Sequence, residues 1–307
     1  RKGIRINTLK ITPDDFFAYT NYELEKSPFA KNGYYANLKS GVGFTPEHMS
    51  GFFYIQEPSA SSAVTILDPK PGMKVLDMCA APGSKSTQIS EILEQEGLLV
   101  ANEIHPTRAR ILLENIERCG SANTIVLNND PKDISKAFPE FFDMVLCDAP
   151  CSGEGMFRKE DQAVEQWSLE NVQACAVRQA IILNEAYKCL KPGGTMVYST
   201  CTFAMEENEK CMLKFVQEHP DMHLVPIEVT FGRKAFDLGS HTDYARRIFP
   251  MDGGEGHFIA KLHKDGEPTE STKKVMQSQP LPKEAKEFFD TFFVKQYPYY
   301  FVKNDKV

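Results

Sequence analysis

Short apolar runs alternate with amphipathic stretches from Met73 onward. The apolar runs are MKVLDMC, GLLVANE, TIVLNND, FDMVLCDAP and GTMVYSTCT, and stretches such as SKSTQISEILEQE and PTRARILLENIERC carry apolar residues at helical spacing. Strands that alternate with helices are typical of a parallel sheet that is covered by helices on both faces. The pattern therefore predicts an α/β fold.

The pattern changes toward the end of this region. A longer amphipathic stretch, from about Ser168 to Leu190, predicts a helix that ends before Pro192. After another helical stretch, EENEKCMLKFVQEH, the strand-like runs MHLVPIEV and GHFIAKL follow, separated by a polar loop that contains Arg246 and Arg247. We expect these last two strands to form an antiparallel hairpin at the end of the otherwise parallel sheet.

Changes of composition divide the chain into four parts. Residues 1–70 are rich in aromatic and basic side chains, residues 71–264 carry the alternating pattern, residues 265–282 resemble a polar linker, and residues 283–307 look like the start of a C-terminal module. The N-terminal part contains the aromatic residues Phe16, Phe17, Tyr19, Tyr22, Phe29, Tyr34 and Tyr35 and the basic residues Arg1, Lys2, Arg5, Lys26, Lys31 and Lys39. We expect most of these aromatic residues to form a core.

Composition and charge exclude several classes of protein. With 42% hydrophobic and 25% charged residues in a chain of 307, the composition is that of a globular protein. The net charge of −7 gives no chain-wide basic signature, so an anionic partner has to meet a local patch. No apolar run is long enough to cross a bilayer, and the N-terminal RKGIRINTLK does not have the apolar stretch of a signal peptide. We therefore predict a cytoplasmic protein with no membrane partner.

Neither the cysteines nor the histidines are spaced like metal ligands. There are eight cysteines but no CxxC pair. His219 and His223 have the spacing of neighbours on one helix face, but Pro220 between them breaks a helix. The sequence predicts neither a metal site nor a disulfide framework.

A turn rich in small residues follows the first strand of the predicted sheet. It consists of Cys79, Ala80, Ala81, Pro82, Gly83, Ser84 and Lys85. Open α/β sheets bind ligands at the carboxyl ends of their strands, where small side chains and the start of a helix let backbone groups approach a ligand. The turn lacks the glycines of a P-loop or a dinucleotide fingerprint. S-adenosylmethionine fits better, because it has no pyrophosphate.

Two carboxylates follow the next two strands. Glu103 lies 20 residues after Gly83, where a carboxylate accepts hydrogen bonds from both ribose hydroxyls in related folds. Asp130, after the third strand, is placed to accept a hydrogen bond from an adenine amino group, although either acid taken alone is equally consistent with a helix cap or a turn. Arg108 is a further candidate contact for the cofactor.

Two cysteines follow the fourth and fifth strands, Cys151 in CDAPCSGEGMFRK and Cys201 in YSTCTF. We expect their thiols to converge at the same sheet edge. A thiolate that adds to carbon 6 of a pyrimidine makes carbon 5 nucleophilic enough to take a methyl group. Lys85 and Lys159 are candidates for lowering the thiol pKa, and Asp148 for binding the base. These arguments leave open which cysteine attacks.

The motifs together resemble those of the RNA (cytosine-5)-methyltransferases of the Nol/Nop/Sun group, most closely the bacterial F-type enzymes of 16S ribosomal RNA. The resemblance runs from Tyr54 to Phe258 and rests on YIQEPSA, DMCAAPGSKS, DAPCSGEGMFRK, STCTF and RIFPMDGGEGHF. It implies a class I Rossmann-like fold with a mostly parallel, seven-stranded sheet. It also implies that S-adenosylmethionine is the cofactor, bound by the turn, Glu103, Asp130 and Asp148, and that 16S ribosomal RNA or the 30S subunit is the partner.

The resemblance also assigns roles to the two cysteines. Cys201 is implied to be the nucleophile that bonds to carbon 6 of cytosine, and Cys151 to act in product release. The N-terminal segment, together with Arg246 and Arg247, is then expected to contact RNA phosphates and bases.

Two other functions fit the sequence less well. An exocyclic-amine methyltransferase typically has an aromatic residue in the loop after the fourth strand, where this chain has DAPC. A non-catalytic RNA-binding assembly factor would not need Asp148, Cys151, Lys159 and Cys201. Both alternatives are therefore less favoured than cytosine-5 methylation.

Overall fold

A computed structural model describes residues 2–159, 161–267 and 282–292. The chain divides into two compact units, residues 1–269 and 270–307. The strands are β1 (Gly3–Ile6), β2 (Leu24–Lys26), β3 (Gly33–Ala36), β4 (Phe53–Gln56), β5 (Lys74–Asp77), β6 (Leu98–Asn102), β7 (Thr124–Leu127), β8 (Phe142–Asp148), β9 (Leu190–Thr200), β10 (Met222–Leu224), β11 (Arg233–Lys234), β12 (Arg246–Ile248) and β13 (His257–Lys264). The α-helices are α1 (Pro13–Tyr19), α2 (Pro46–Met49), α3 (Ser62–Leu67), α4 (Ser84–Leu93), α5 (Pro106–Cys119), α6 (Pro131–Ala137), α7 (Asp161–Glu165), α8 (Leu169–Cys189), α9 (Glu209–Glu218) and, in the second unit, α10 (Lys283–Phe292).

The central sheet is mostly parallel where the alternating pattern lies. Its order is β11-β12-β13-β9-β8-β5-β6-β7, with β10 also paired to β13. Strands β9, β8, β5, β6 and β7 run parallel to one another, and β13 runs antiparallel to β9, β10 and β12. The predicted α/β class is therefore confirmed. The sheet has nine strands where seven were expected, because the short β11 and β12 extend its antiparallel edge.

The expected antiparallel pairing at the end of the sheet is confirmed for β10 and β13, but the two strands are not a simple hairpin, because β11 and β12 lie between them in the sequence. Leu224 lies opposite Leu262, and on the other side of β13 Phe258 lies opposite Thr200 of β9. The segment with Arg246 and Arg247 was wrongly predicted as a polar loop. It forms β12, because its backbone pairs with both β11 and β13.

Helices cover both faces of this sheet. One face packs against α3, α4 and α5, and the other against α6, α8 and α9. Helix α8 confirms the predicted long helix, and the Ser168 hydroxyl caps it by accepting a hydrogen bond from the Asn171 N–H at 3.1 Å. No helix in the described ranges is long and apolar enough to span a membrane.

The N-terminal residues form a second sheet of four antiparallel strands, in the order β2-β3-β1-β4. Its core contains Ile4, Ile6, Phe16 and Phe53. Of the aromatic residues in this region, Phe16 and Phe29 are fully buried, as expected for a core, whereas the Tyr19 side chain is 77% exposed. The aromatic cluster is thus mainly structural.

Arg5 joins the N-terminal sheet to helix α4. It is 2% exposed, and its guanidinium forms an ion pair with the Glu91 carboxylate. Arg5 Nη2 also donates hydrogen bonds to Thr87 Oγ1 at 2.7 Å and to the Ser84 carbonyl at 3.2 Å. The expectation that Arg5 belongs to a phosphate-binding patch is therefore wrong.

Arg247 is likewise buried rather than available to RNA. It is 2% exposed, and its guanidinium nitrogen Nε lies 2.6 Å from Glu209 Oε1. Arg246 donates from Nη2 to the Ile227 carbonyl at 2.8 Å. The predicted phosphate contact through Arg247 is corrected for this reason: its charge is already neutralised by a buried carboxylate.

Candidate active site

A cavity of about 840 Å³ opens at the carboxyl ends of the parallel strands. This is the edge at which the sequence predicted a ligand site. The residues that were singled out from the sequence and line the cavity are Cys79, Ala81, Glu103, Arg108, Asp130, Asp148, Cys151 and Cys201. Residues from five successive strand ends are therefore brought to one space.

Only two residues of the predicted turn line this cavity. Cys79 and Ala81 contribute to the wall, whereas the rest of the turn contacts neighbouring elements. The Pro82 carbonyl accepts a hydrogen bond from Asn115 Nδ2 at 2.8 Å, and the Ser84 hydroxyl lies 2.5 Å from Gln56 Oε1. These contacts fix the turn from behind, against α5 and β4.

Gly83 is required by the local backbone. Its φ angle is +111°, a conformation that side-chain-bearing residues rarely adopt, and a Cβ atom there would lie 3.2 Å from Leu112 Cδ1. Helix α4 begins at the next residue. The glycine thus allows the chain to turn from β5 directly into α4 while α5 packs closely against it.

The two carboxylates that follow β6 and β7 both reach the cavity. Glu103 is 3% exposed, accepts a hydrogen bond from the His105 N–H at 3.0 Å and lies 3.3 Å from Arg108 Nη1. Asp130 caps α6 by accepting from the Lys132 N–H at 2.9 Å. Asp130 is therefore a helix cap and a cavity residue at the same time.

Asp148 is held at the end of β8 by two donors. Its Oδ2 accepts a hydrogen bond from Lys85 Nζ at 2.6 Å, and its Oδ1 accepts one from Ser199 Oγ at 2.7 Å. Burial alone would lower the pKa of Lys85, but the charge of Asp148 and its hydrogen bond raise that pKa above its usual value. Lys85 is therefore a permanent cation next to the cavity.

The two cysteine thiols converge, as expected. Cys151 Sγ and Cys201 Sγ lie 3.2 Å apart, and the Cys201 N–H donates to Cys151 Sγ at 3.3 Å. Both thiols are free. The hydrogen bond to Cys201, together with burial, raises the pKa of Cys151 well above its usual value. Cys151 therefore retains its proton at neutral pH, which is opposite to the activation expected for a nucleophile.

Two other candidates from the sequence, Cys79 and Lys159, are not part of the thiol pair. Burial raises the pKa of Cys79, which agrees with a structural role for this thiol. Lys159 is exposed and lies in a separate cleft of about 650 Å³, beside Arg158 and Glu255. Among the described residues, Lys159 is not part of the wall that carries the two cysteines.

Several residues of the cavity wall were not among the candidates predicted from the sequence. They are Met78, Asn102, Ile104, His105, Pro131, Lys132, Ala149, Met156, Gln162, Ala163, Gln166, Asn171, Arg178, Ile181 and Ile182. Some could have been found because they adjoin a predicted strand end: Asn102, for example, donates to the Asn129 carbonyl at 3.0 Å and accepts from the Asn129 N–H at 3.1 Å. Residues such as Asn171 and Arg178 come from α8, and nothing in their sequence marks them.

The described residues contain no group of three or more His, Cys, Asp and Glu side chains that would hold a metal ion.

Asp77 lies at the end of β5, behind this site. It is fully buried, its Oδ2 accepts a hydrogen bond from Ser86 Oγ at 2.6 Å, and its Oδ1 has no partner within the described ranges. Burial raises the pKa of Asp77 from 3.8 to about 7, with a further contribution from the negative charge of Asp148. The carboxyl is thus neutral over much of the physiological range below pH 7.

Replacing Asp77 by asparagine is expected to raise the free energy of unfolding above neutral pH. Between the unfolded and folded pKa values, wild type loses about 1.4 kcal/mol of stability per pH unit as pH rises, because only the unfolded carboxyl is ionised. The asparagine variant avoids this loss. In thermal unfolding measured from pH 4 to pH 8, the stability of Asp77→Asn relative to wild type should increase up to about pH 7 and stay constant above that pH.

The exposed Asp133 provides the control for this measurement, since its side chain is 59% exposed. Asp133→Asn should show no such pH-dependent advantage. A stability difference between Asp77→Asn and wild type that is the same at every pH would contradict the raised pKa.

Comparisons with known proteins agree with this geometry. The family model described as 16S rRNA methyltransferase RsmB/F matches residues 64–263, and the model for the N-terminal domain of 16S rRNA methyltransferase RsmF matches residues 1–58. Ribosomal RNA small subunit methyltransferase F of Vibrio cholerae serotype O1 is 40% identical over 299 residues, which cover 92% of this chain and 62% of the relative. The protein of that name from Escherichia coli K12 is 39% identical, covering 86% of this chain and 57% of the relative.

A solved methyltransferase structure has a similar fold. A methyltransferase homologue from Pyrococcus horikoshii superposes with a TM-score of 0.76 at 32% identity, and the match covers 86% of each chain. The curated relatives are longer than this sequence, which spans 62% and 57% of their lengths.

Proposed function

Because the chain belongs to the 16S rRNA methyltransferase RsmB/F family, we propose that it methylates carbon 5 of a cytosine in ribosomal RNA, with S-adenosylmethionine as the methyl donor. The proposal includes a covalent bond between Cys201 and carbon 6 of the target base. The observation that carries it is the contact between the two cysteine sulfurs, 3.2 Å apart beside a cavity with carboxylates at successive strand ends.

The residues of the cavity fit S-adenosylmethionine. The cavity has room for a nucleoside, its walls near the turn carry the small side chains of Ala81 and Ala149, and Glu103 and Asp130 supply acceptors for hydroxyl and amino groups. We assign Glu103 to the ribose hydroxyls, Asp130 to the adenine amino group, and the turn at residues 79–85 to the amino-acid end. When bound, the cofactor supplies a methyl group on a positively charged sulfur.

Cys201 is the nucleophile in this proposal. Its thiolate adds to carbon 6 of cytosine, and the electron pair of the bond between carbons 5 and 6 becomes available at carbon 5 for the new bond to the methyl group. The hydrogen bond to Cys201 and burial raise the pKa of Cys151, so Cys151 keeps its proton and is not the attacking sulfur in this proposal.

Asp148 and Lys85 bind and polarise the base in this proposal. The Asp148 carboxylate is a hydrogen-bond acceptor for the amino edge of cytosine and for a proton on N3, and that proton helps carbon 6 to accept the thiolate. The Lys85 ammonium lies 2.6 Å from Asp148 Oδ2, and Cys201 is among the groups that raise the pKa of Lys85. The pair thus supports both the base and the attacking sulfur.

Release of the product requires the reverse of the addition. A base removes the proton from carbon 5, the electron pair of that bond restores the double bond, and Cys201 leaves carbon 6 as a thiolate. We assign Cys151 to this release step, because its protonated sulfur lies next to the departing one.

The substrate is proposed to be 16S ribosomal RNA, free or in the 30S subunit, and the site of action the cytoplasm. The target carbon is inaccessible in a stacked helix, so the base has to be extruded into the site. Arg158 and Lys159 line the separate cleft with exposed side chains, so RNA phosphates can reach them, whereas Arg5 and Arg247 are buried.

The test is methyl transfer from radiolabelled S-adenosylmethionine to ribosomal RNA and to 30S particles, with 5-methylcytidine identified by mass spectrometry. Cofactor binding is measured separately by calorimetry, where Glu103→Gln should weaken binding roughly ten-fold or more, because a charged acceptor is lost. Asp133→Asn, on the exposed side of α6, should bind as wild type does. Label found only on an exocyclic amine, or no cofactor binding at all, would refute the proposal.

A further inference from the structure

A buried carboxylate lies beneath the loop that carries Cys151. Glu207 is fully buried, and its Oε2 accepts hydrogen bonds from the Ser152 N–H at 3.0 Å and from Gln179 Nε2 at 2.7 Å. Glu207 belongs to the segment between β9 and α9, whereas Gln179 belongs to α8. The carboxylate therefore connects three separate parts of the chain.

Both neighbours of Cys151 are held by this arrangement. The residue after it, Ser152, donates its N–H to Glu207, and the residue before it, Pro150, accepts from Gln179 Nε2 at 2.9 Å. The loop thus has one side chain on each side of Cys151 that fixes its backbone. The position of the sulfur follows from these two attachments.

The same segment is tied to the strand that leads to Cys201. The Tyr198 hydroxyl donates to the Glu207 carbonyl at 2.7 Å, and Asn208 accepts from Thr200 Oγ1 at 2.7 Å and donates to the Thr202 carbonyl at 3.0 Å. Residues 207–208 therefore contact both cysteine loops. They are placed to set the separation of the two sulfurs.

This arrangement costs stability, which indicates a role beyond packing. Taking a carboxylate out of water is unfavourable, and a well-packed apolar group is often at least as stable. Gln179 Oε1 is buried without a partner in the described ranges, because its Nε2 is turned toward two oxygens. Burial also raises the pKa of Glu207. A fold that needed only to fill space here would avoid these costs.

We propose that Glu207 and Gln179 are positioning residues that hold the Cys151 sulfur against Cys201 for the release of methylated RNA. The inference rests on the proposed function, and it adds residues that touch neither RNA nor cofactor. Glu207→Gln keeps the shape of the side chain but places a second amide against Gln179 Nε2. Gln179→Met removes both of its donated hydrogen bonds at similar volume.

The experiment measures three quantities on each variant with 16S ribosomal RNA: the rate of the first turnover, the steady-state rate, and the fraction of protein that stays covalently attached to RNA after denaturation. We expect Glu207→Gln and Gln179→Met to complete a first methyl transfer near the wild-type rate. Their steady-state rate should fall roughly ten-fold, with accumulation of the covalent adduct, as expected for Cys151→Ala. The neighbouring Glu206→Gln, at an exposed site paired with Lys210, should behave as wild type does.

The outcomes separate this inference from the proposed function. Wild type that forms no 5-methylcytidine would remove the proposed function itself. Active wild type, with both variants turning over as Glu206→Gln does, would overturn the positioning role alone. An equal fall in the rates of the first and later turnovers, together with a lower unfolding temperature, would also overturn the positioning role. That pattern indicates a purely structural effect. If Glu207→Gln does not fold, the Gln179→Met variant alone tests the positioning role.

Discussion

Replacing Cys201 by alanine is expected to abolish methylation of RNA and formation of the covalent adduct, with cofactor affinity almost unchanged. Without the sulfur, carbon 5 of cytosine is too weak a nucleophile, and loss of a catalytic nucleophile costs several orders of magnitude in rate. The cofactor contacts proposed for Glu103 and Asp130 involve other side chains of the cavity and remain in this variant. Tritium transfer, gel analysis of RNA adducts and calorimetry measure the three quantities.

Two other cysteines complete this experiment. Cys151→Ala should still form the adduct but release it slowly, and Cys119→Ala, a buried thiol on α5, should methylate normally. If Cys201→Ala methylates RNA while Cys151→Ala does not, the two roles are exchanged. Methylation by both variants would contradict covalent catalysis.

Replacing Arg247 by methionine is expected to destabilise the fold by about 3–5 kcal/mol, the effect of leaving one buried charge unpaired. Its partner Glu209 is fully buried, and the Arg247 guanidinium also donates to the Phe203 carbonyl at 3.0 Å. RNA affinity per folded molecule should change little, because the side chain does not reach the surface. Denaturant unfolding and RNA titration measure the two effects.

The control is Arg233→Gln, whose arginine forms an exposed ion pair with Asp252 and should cost less than about 1 kcal/mol. The double variant Arg247→Met with Glu209→Leu should regain much of the lost stability, since both charges are then removed. A single Arg247→Met variant as stable as wild type, but with weaker RNA binding, would restore the original expectation of a phosphate contact.

The parts of the fold that depend on local pattern could be predicted from the sequence. Alternating apolar runs predicted the parallel strands, Ser168 marked the start of α8, and two strand-like runs near the end of the pattern predicted the antiparallel pair of β10 and β13. The convergence of Cys151 and Cys201 followed from the rule that carboxyl ends of parallel strands share one edge. Each of these inferences needs only neighbouring residues and a general topology.

The parts that depend on distant partners could not be predicted. Arg247 is neutralised by Glu209, 38 residues away, and Arg5 by Glu91, 86 residues away, so their sequence neighbours gave no sign of burial. Gln179 lies on an ordinary amphipathic helix, and only the fold brings it to the Cys151 loop. In each case a polar residue looked exposed, because its partner is specified by tertiary structure.

The Arg5 contact has a consequence for how the molecule folds. Glu91 and Thr87 belong to the helix that starts at the proposed cofactor turn, so that helix has its counter-charge only when β1 is docked. A polypeptide lacking the first sheet would lose the hydrogen bonds that Arg5, Thr8 and Asn32 donate to Glu91 and would expose this carboxylate and the surface around it to water. The first sheet and helix α4 therefore share one buried polar interface, so a change on either side of it has to be matched on the other.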